Sequence, residues 1–298
     1  MAYFKIRFLF ICLGLATASC SQDLKKELPR SFTVTVSNPL KTDRENEMVI
    51  ISEEGIQKQV DGFNPKAFVV FDKGKEIPSQ YNVQDKGHPG IVVVLDNLKG
   101  GEARKLTVRY KNSGELKRHY AKRTQAELSH KIGGRWVNRE YEGGTFQNVN
   151  YLSVPPEHKD HSWFIRYEGP GWESDKVGYR FYLDQRNATD VFGKKTPEVI
   201  LQQVGLDGFD SYHNMQSWGM DVMNVGPSLG IGSIGAWNNG KVLRVEKTDS
   251  VTCEILENGD VYASFTIALL WLAGGKEKIS GEVAYGYSCG NAINTPET

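Results

Sequence analysis

The chain lacks a surplus of either charge: 36 Lys+Arg stand against 36 Asp+Glu, and no run reaches five like charges. Bulk charge therefore gives no footprint for nucleic acid or an anionic membrane, and no nucleic-acid partner is expected. Cysteine is scarce too, with four in 298 residues. At roughly 150 residues per domain the chain can build one large or two modest cores without a disulfide framework. There is no fixed-period repeat and no low-complexity tract. Disorder and collagen are excluded.

What is present begins with an export pattern. Lys5 and Arg7 precede an apolar run from Phe8 to Ala16, followed by small residues ending at Cys20. The run is far shorter than the roughly 20 residues that span a bilayer, so residues 1–20 read as a signal peptide. Thr17-Ala18-Ser19-Cys20 resembles a bacterial lipobox, which implies a protein of the periplasm or outer membrane, lipid-anchored at Cys20. Simple secretion with cleavage near the same place is the alternative. Loss of Lys5 and Arg7 leaves 34 basic and 36 acidic residues, net −2. The body keeps Cys253 and Cys289, each sharing strand parity with apolar neighbours. One bridge between them, or two buried thiols, fits an exported chain.

The pattern along the body is all-β. After a polar tether over 21–30, Phe32 to Val36 alternates apolar and polar, as a half-buried strand does. Met48–Ser52, Ala67–Asp72, Ile91–Asp96 and Leu106–Tyr110 follow, separated by turn signals such as Asp72-Lys73-Gly74-Lys75. These predict a small N-terminal β-sandwich over 31–116. Residues 117–132 read as a linker or short helix. Longer strands then fill 133–298, including Ser162–Tyr167, Val177–Asp184, Ser250–Leu256, Val261–Leu270 and Ile279–Cys289, a large antiparallel sandwich expected to carry activity. Asn258-Gly259 marks a tight hairpin turn.

Candidate chemistry concentrates between His158 and Asp221. In Val177–Arg186 one face reads Val177, Tyr179, Phe181, Leu183 and suits a core. The other reads Gly178, Arg180, Tyr182, Asp184, Arg186, with alternate residues about 6.6 to 6.8 Å apart. That row could engage an oxygen-rich ligand, or form an internal Arg–Asp ladder. Trp172, in a glycine-flanked loop after Arg166, could offer an indole face to a sugar or fold back into the sandwich. His213 beside Tyr212, in a loop with Trp218 and Asp221, is the preferred proton-transfer site. His158 and His161 form an H-x-x-H pair without an evident third ligand, so no metal is expected.

Other patterns fail on context. Gly226-Pro227-Ser228-Leu229-Gly230 has the G-x-S-x-G form but lacks a strand-to-helix frame. Gly230 to Gly235 has no Walker lysine. Asp207-Gly208-Phe209-Asp210 lacks the ligand series of a calcium loop.

Glu168-Gly169-Pro170-Gly171-Trp172-Glu173-Ser174-Asp175, Val177-Gly178-Tyr179-Arg180, Tyr182-Leu183-Asp184-Gln185-Arg186-Asn187, Phe192-Gly193-Lys194-Lys195 and Trp218-Gly219-Met220-Asp221 carry a family resemblance. The chain resembles the domain-of-unknown-function 4861 family of Bacteroidetes-type bacteria, most specifically between about 165 and 235. The resemblance implies a galactose-mutarotase-like supersandwich for the larger domain. It also implies a role in breaking down uronate-containing polysaccharides such as ulvan and pectins, with an oligosaccharide dehydratase as a related activity.

On that expectation the substrate is a uronate-containing oligosaccharide, with or without sulfate, and water leaves across C4 and C5 of its non-reducing-end uronic acid. Arg180, then Arg186, would hold the carboxylate. His213 or Tyr182 would take the C5 proton, and Tyr212 would protonate the departing hydroxyl. Trp172, Arg166, Asp184, Lys194 and Trp218 would bind sugar, and no cofactor is required. A polysaccharide lyase would use the same groups. A glycoside hydrolase would need two opposed carboxylates, for which Glu173 and Asp184 are available. A noncatalytic glycan-binding lipoprotein is the rival of a different class.

Overall fold

The structure is a computed structural model that describes residues 24–208, 211–238, 240–246, 248–273, 277–288 and 291–293. It is mostly strand, arranged in antiparallel sheets. Two β-sandwiches follow one another along the chain.

The first is built from β1 (Arg30–Ser37), β2 (Arg44–Ser52), β3 (Phe68–Asp72), β4 (Lys75–Ile77), β5 (Ser79–Asn82), β6 (Gly90–Leu98) and β7 (Ala103–Tyr110), with a short helix α1 (Glu53–Gln59). Ser52 caps α1 by accepting from Gly55 N, and Glu53 and Glu54 sit in its first turn, where the helix dipole favours negative charge. One sheet runs β1-β7-β3-β4 and the other β2-β6-β5. Alternation on β7 turns Leu106, Val108 and Tyr110 inward, where they meet Ile91, Val93 and Leu95 of β6. Residues 24–27 do not run free as a polar tether: they form a helical turn whose Leu24, with Leu28, packs on Val69.

No helix bridges to the second sandwich. Residues 124–132 instead supply β8 (Thr124–Glu127) and the start of β9 (Ser129–Val137). Then come β10 (Glu140–Asn148), β11 (Tyr151–Ser153), β12 (Gly171–Ser174), β13 (Val177–Phe181), β14 (Thr189–Lys194), β15 (Gly219–Asp221), β16 (Gly235–Asn238), β17 (Lys241–Arg244), β18 (Thr248–Asn258), β19 (Tyr262–Ala273), β20 (Glu277–Ser288) and β21 (Asn291–Ile293). Two five-stranded sheets, β15-β14-β13-β12-β8 and β11-β18-β19-β20-β21, enclose the main core. Ala126, Trp172 and Phe181 of the first meet Cys253, Phe265 and Ile267 of the second. Burial pushes the Cys253 thiol well above its ordinary range. Its expected partner Cys289 lies outside the described residues, as does Cys20.

The other face of the β13 sheet is covered not by a third sheet but by loops and 3₁₀ turns. Tyr167, Ile200, Leu201, Val204 and Tyr212 pack there on Phe192 of β14. Ser162–Tyr167, expected as a strand, is irregular: it touches β9 by a single bridge at Ile165 and ends in the 3₁₀ turn Arg166–Glu168. The Asn258-Gly259 hairpin is present, yet neither residue has positive φ. The glycine leaves room for the Gln80 amide, since an added Cβ would lie 1.9 Å from Gln80 Oε1.

A candidate acid–base pocket

Strand parity decides the site. Val177, Tyr179 and Phe181 of β13 face the inter-sheet core, so Arg180 projects to the loop-covered side, with Tyr182 following beyond the strand end. There a cavity of about 760 Å³ opens, lined among others by Arg180, Tyr182, Arg186, Tyr212, His213 and Asp221. These six side chains, all named from the sequence, thus meet in one place.

Arg180 is not a free cation. In register, it lies directly opposite Asp190 of β14, and Asp221 of β15 lies opposite Phe192, so both carboxylates share its face. Arg180 Nε and Nη2 donate to Asp190 Oδ2 at 2.9 and 2.6 Å, Nη2 also to Asp221 Oδ2 at 2.7 Å, and Nη1 to the Tyr212 hydroxyl at 2.9 Å. Four of its five N–H groups are thereby committed, and the expected carboxylate receptor is a structural clamp with one Nη1 donor to spare. Burial works against its charge, but Tyr212, Tyr182, Asp190 and Asp221 hold its pKa above the ordinary range.

The clamp sets the character of its neighbours. Burial raises the Asp221 carboxyl, with Arg180 pulling it down and Asp190 pushing it up, so a proton is retained more readily there than on an exposed carboxylate. The Tyr182 hydroxyl donates to Asp190 Oδ2 at 2.7 Å, and burial pushes its pKa far up. Tyr182 is therefore no base near neutral pH, which corrects that assignment. Burial also raises the Tyr212 phenol, against the pull of Arg180. Because its oxygen accepts from Arg180, its own proton is left to give. His213 sits at the rim with its side chain 49% exposed, its Nε2 3.4 Å from Asp221 Oδ2 and its ring 4.8 Å from that of Tyr212.

Arg186 is held as firmly. It pairs with Asp184, with Asp160 at 3.0 Å and with Glu168 at 3.0 Å, and its guanidinium stands 3.6 Å from the centre of the Tyr182 ring. Asp160, His161 and Glu168 bring ligand-type atoms within 4.8 Å of one another, a trio that includes only one histidine of the H-x-x-H pair. His158 is buried against Ser162 Oγ at 2.7 Å. Around this corner His161, Trp163, Tyr167 and Glu168 all have positive φ, strain of a kind that persists only where surrounding structure enforces it.

The remaining sugar-binding expectations are overturned. Trp172 is buried in β12, stacked on Tyr179 at 5.4 Å and tilted against Phe265 at 4.9 Å. Trp218 packs edge-on against Phe192 and does not line the cavity. Arg166 is sealed by Glu127 at 2.6 Å and by the carbonyls of Leu201, Gln202 and Val204. Lys194, expected to bind sugar, has its side chain buried with Nζ 2.5 Å from Glu173 Oε2. Glu173 also accepts from Ile200 N and Leu201 N, and Asp184 is bound by Arg186, so the proposed hydrolase pair is consumed in holding loops. Asp190, Asp160 and Glu168 carried no assigned role in the sequence reading. A cross-strand pairing of Arg180 with Asp190 would have revealed the first.

An all-β protein of two consecutive sandwiches, with a charged cavity on the loop-covered face of the second, is what these features define. Within that class, the chain belongs to the family described as "Domain of unknown function (DUF4861)", whose model matches residues 36–292. No curated protein matches it. No solved structure matches it.

Proposed function

We propose that this cavity is the active site of a carbohydrate-active dehydratase that removes water across C4 and C5 of a non-reducing-end uronic acid. The observation that carries the reading is the convergence of Tyr212, His213 and Asp221 on one half-open cavity of about 760 Å³, large enough for sugar rings. His213, at the rim, takes the C5 proton, and Asp221 stabilises the imidazolium that forms. The C–H electron pair becomes the C4–C5 double bond. The C4 oxygen leaves with its own hydrogen and the Tyr212 proton, as water. His213 then returns its proton to Tyr212, its sequence neighbour, and the site is reset.

Arg180 acts through Tyr212 and Asp221, by fixing both oxygens, and its spare Nη1 donor is the only part of it left for a substrate carboxylate. A polysaccharide lyase would use the same dyad but expel a glycosidic oxygen. The test is incubation with defined uronate-ended oligosaccharides, followed by ultraviolet absorbance of the conjugated product and by mass. Dehydration is expected: an absorbance rise with loss of one water and no chain cleavage. An unchanged spectrum across the panel rejects elimination, and two shorter fragments replace dehydratase with lyase.

A further inference from the structure

Alternation on β7 that sends Leu106 and Val108 inward sends Lys105, Thr107 and Arg109 to the outer face of the β1-β7-β3-β4 sheet. Phe71 of β3 lies opposite Thr107, and the turn between β3 and β4 adds Lys73. With Lys25 these residues line a recess of about 440 Å³ whose walls hold four cations and no carboxylate. Glu102, 3.9 Å from Lys73 Nζ, already gives both oxygens to Arg104. Such a recess is complementary to anionic groups, although the whole chain has no excess charge.

The recess is continuous with the start of the folded chain. Arg109 Nη1 donates to Leu28 O at 3.0 Å, and Leu24 and Leu28 pack beside it on Val69 and Phe71. Leu24 is four residue steps on from Cys20, a contour of about 14 Å at full extension. Any lipid carried by Cys20 would hold this face within roughly two Debye lengths of the bilayer at physiological salt.

We propose that the outer face of the first sandwich is a membrane-contact surface whose Lys25, Lys73, Lys105 and Arg109 take the phosphate headgroups of anionic lipid. It supplies the second of the two signals, acyl chain plus basic patch, that stable anchoring requires. The inference does not rest on the activity of the cavity.

The test uses the chain from Ser21 on, which keeps every described residue and carries no lipid. It is sedimented with vesicles of phosphatidylcholine alone, or of phosphatidylcholine with phosphatidylglycerol, at low and high salt. Binding is expected only with phosphatidylglycerol, and it should fade as salt rises. Lys73→Glu with Lys105→Glu, both exposed, should weaken it at least about tenfold. Lys58→Glu with Lys86→Glu, an equal charge change away from the recess, should bind as the unsubstituted chain does. Thermal melts confirm that both variants fold. Binding to both vesicle types alike, to neither, or undiminished in the Lys73/Lys105 variant overturns the proposal. Capture by a sulfated polysaccharide without capture by the vesicles overturns it in favour of a glycan surface.

Discussion

Arg180 and His213 separate fold from chemistry within one pocket. Removing Arg180 would leave Asp190 and Asp221 buried without their cation, and breaking such a pair costs about 3–5 kcal/mol. Arg180→Ala is therefore expected to lower the melting temperature sharply, measured by calorimetry. His213 is half-exposed, so His213→Ala should leave the melt nearly unchanged, within about 0.5 kcal/mol. Turnover in the oligosaccharide assay should fall about 100-fold or more if the imidazole moves the proton. Near-normal turnover in a folded His213→Ala protein would remove it from the mechanism. The side Arg180 faces was legible in the sequence, because period-two alternation fixes the side a strand residue faces. Its carboxylate partners stand on β14 and β15, and what was not legible is which strands pair with β13 to bring them there.

At the scale of elements, β13 and β18 were readable because apolar and polar residues alternate along them. The β9–β10 hairpin was not, because β10 is largely exposed and reads Glu-Tyr-Glu-Gly-Gly-Thr-Phe-Gln-Asn, with no apolar face to betray it. Ser162–Tyr167 erred the other way: its aromatic and β-branched residues suited a strand, but positive φ at Trp163 and Tyr167 breaks the ladder. The β18–β19 hairpin gives a test. Gln80 reaches across from β5, accepting from Val261 N and Tyr262 N and donating to Tyr262 O. In Gly259→Ala the new methyl displaces that amide. A loss of about 1–3 kcal/mol is expected by urea titration, from bonds worth about 0.5–1.5 kcal/mol each.

For the whole molecule, the decisive contact is between the sandwiches. Val92 and Val94 of β6 pack on Val261 and Tyr262, while Glu257 Oε1 accepts from Val83 N, Gln84 N and Asp85 N at 2.6, 2.7 and 3.2 Å. Tyr262 donates to Asp85 Oδ2 at 2.5 Å. Burial raises the Asp85 carboxyl, but bonds from His88, Tyr262 and Ser264 outweigh that and bring it down to about 2. A folded pKa below the unfolded value means the stabilisation is complete above about pH 4 and is lost as pH falls through about 2. The expected loss is about 1–2 kcal/mol, discounted for partial solvent access. Melts across that window should show it in the native chain and show it diminished in Asp85→Asn. An identical acid profile in both would detach Asp85 from the interface.

The all-strand class and the face on which Arg180 lies could be read from residue order alone, because both follow from local periodicity and turn residues. The clamping of Arg180 and Arg186 by carboxylates, the place of Trp172 in the core and the meeting of Asp221 with His213 arise only once the chain is folded. Folding alone gathers four cations on one face of a chain with no net charge. Those facts depend on which distant strands pair and which loops cover them, and no local pattern encodes the partner across the sheet.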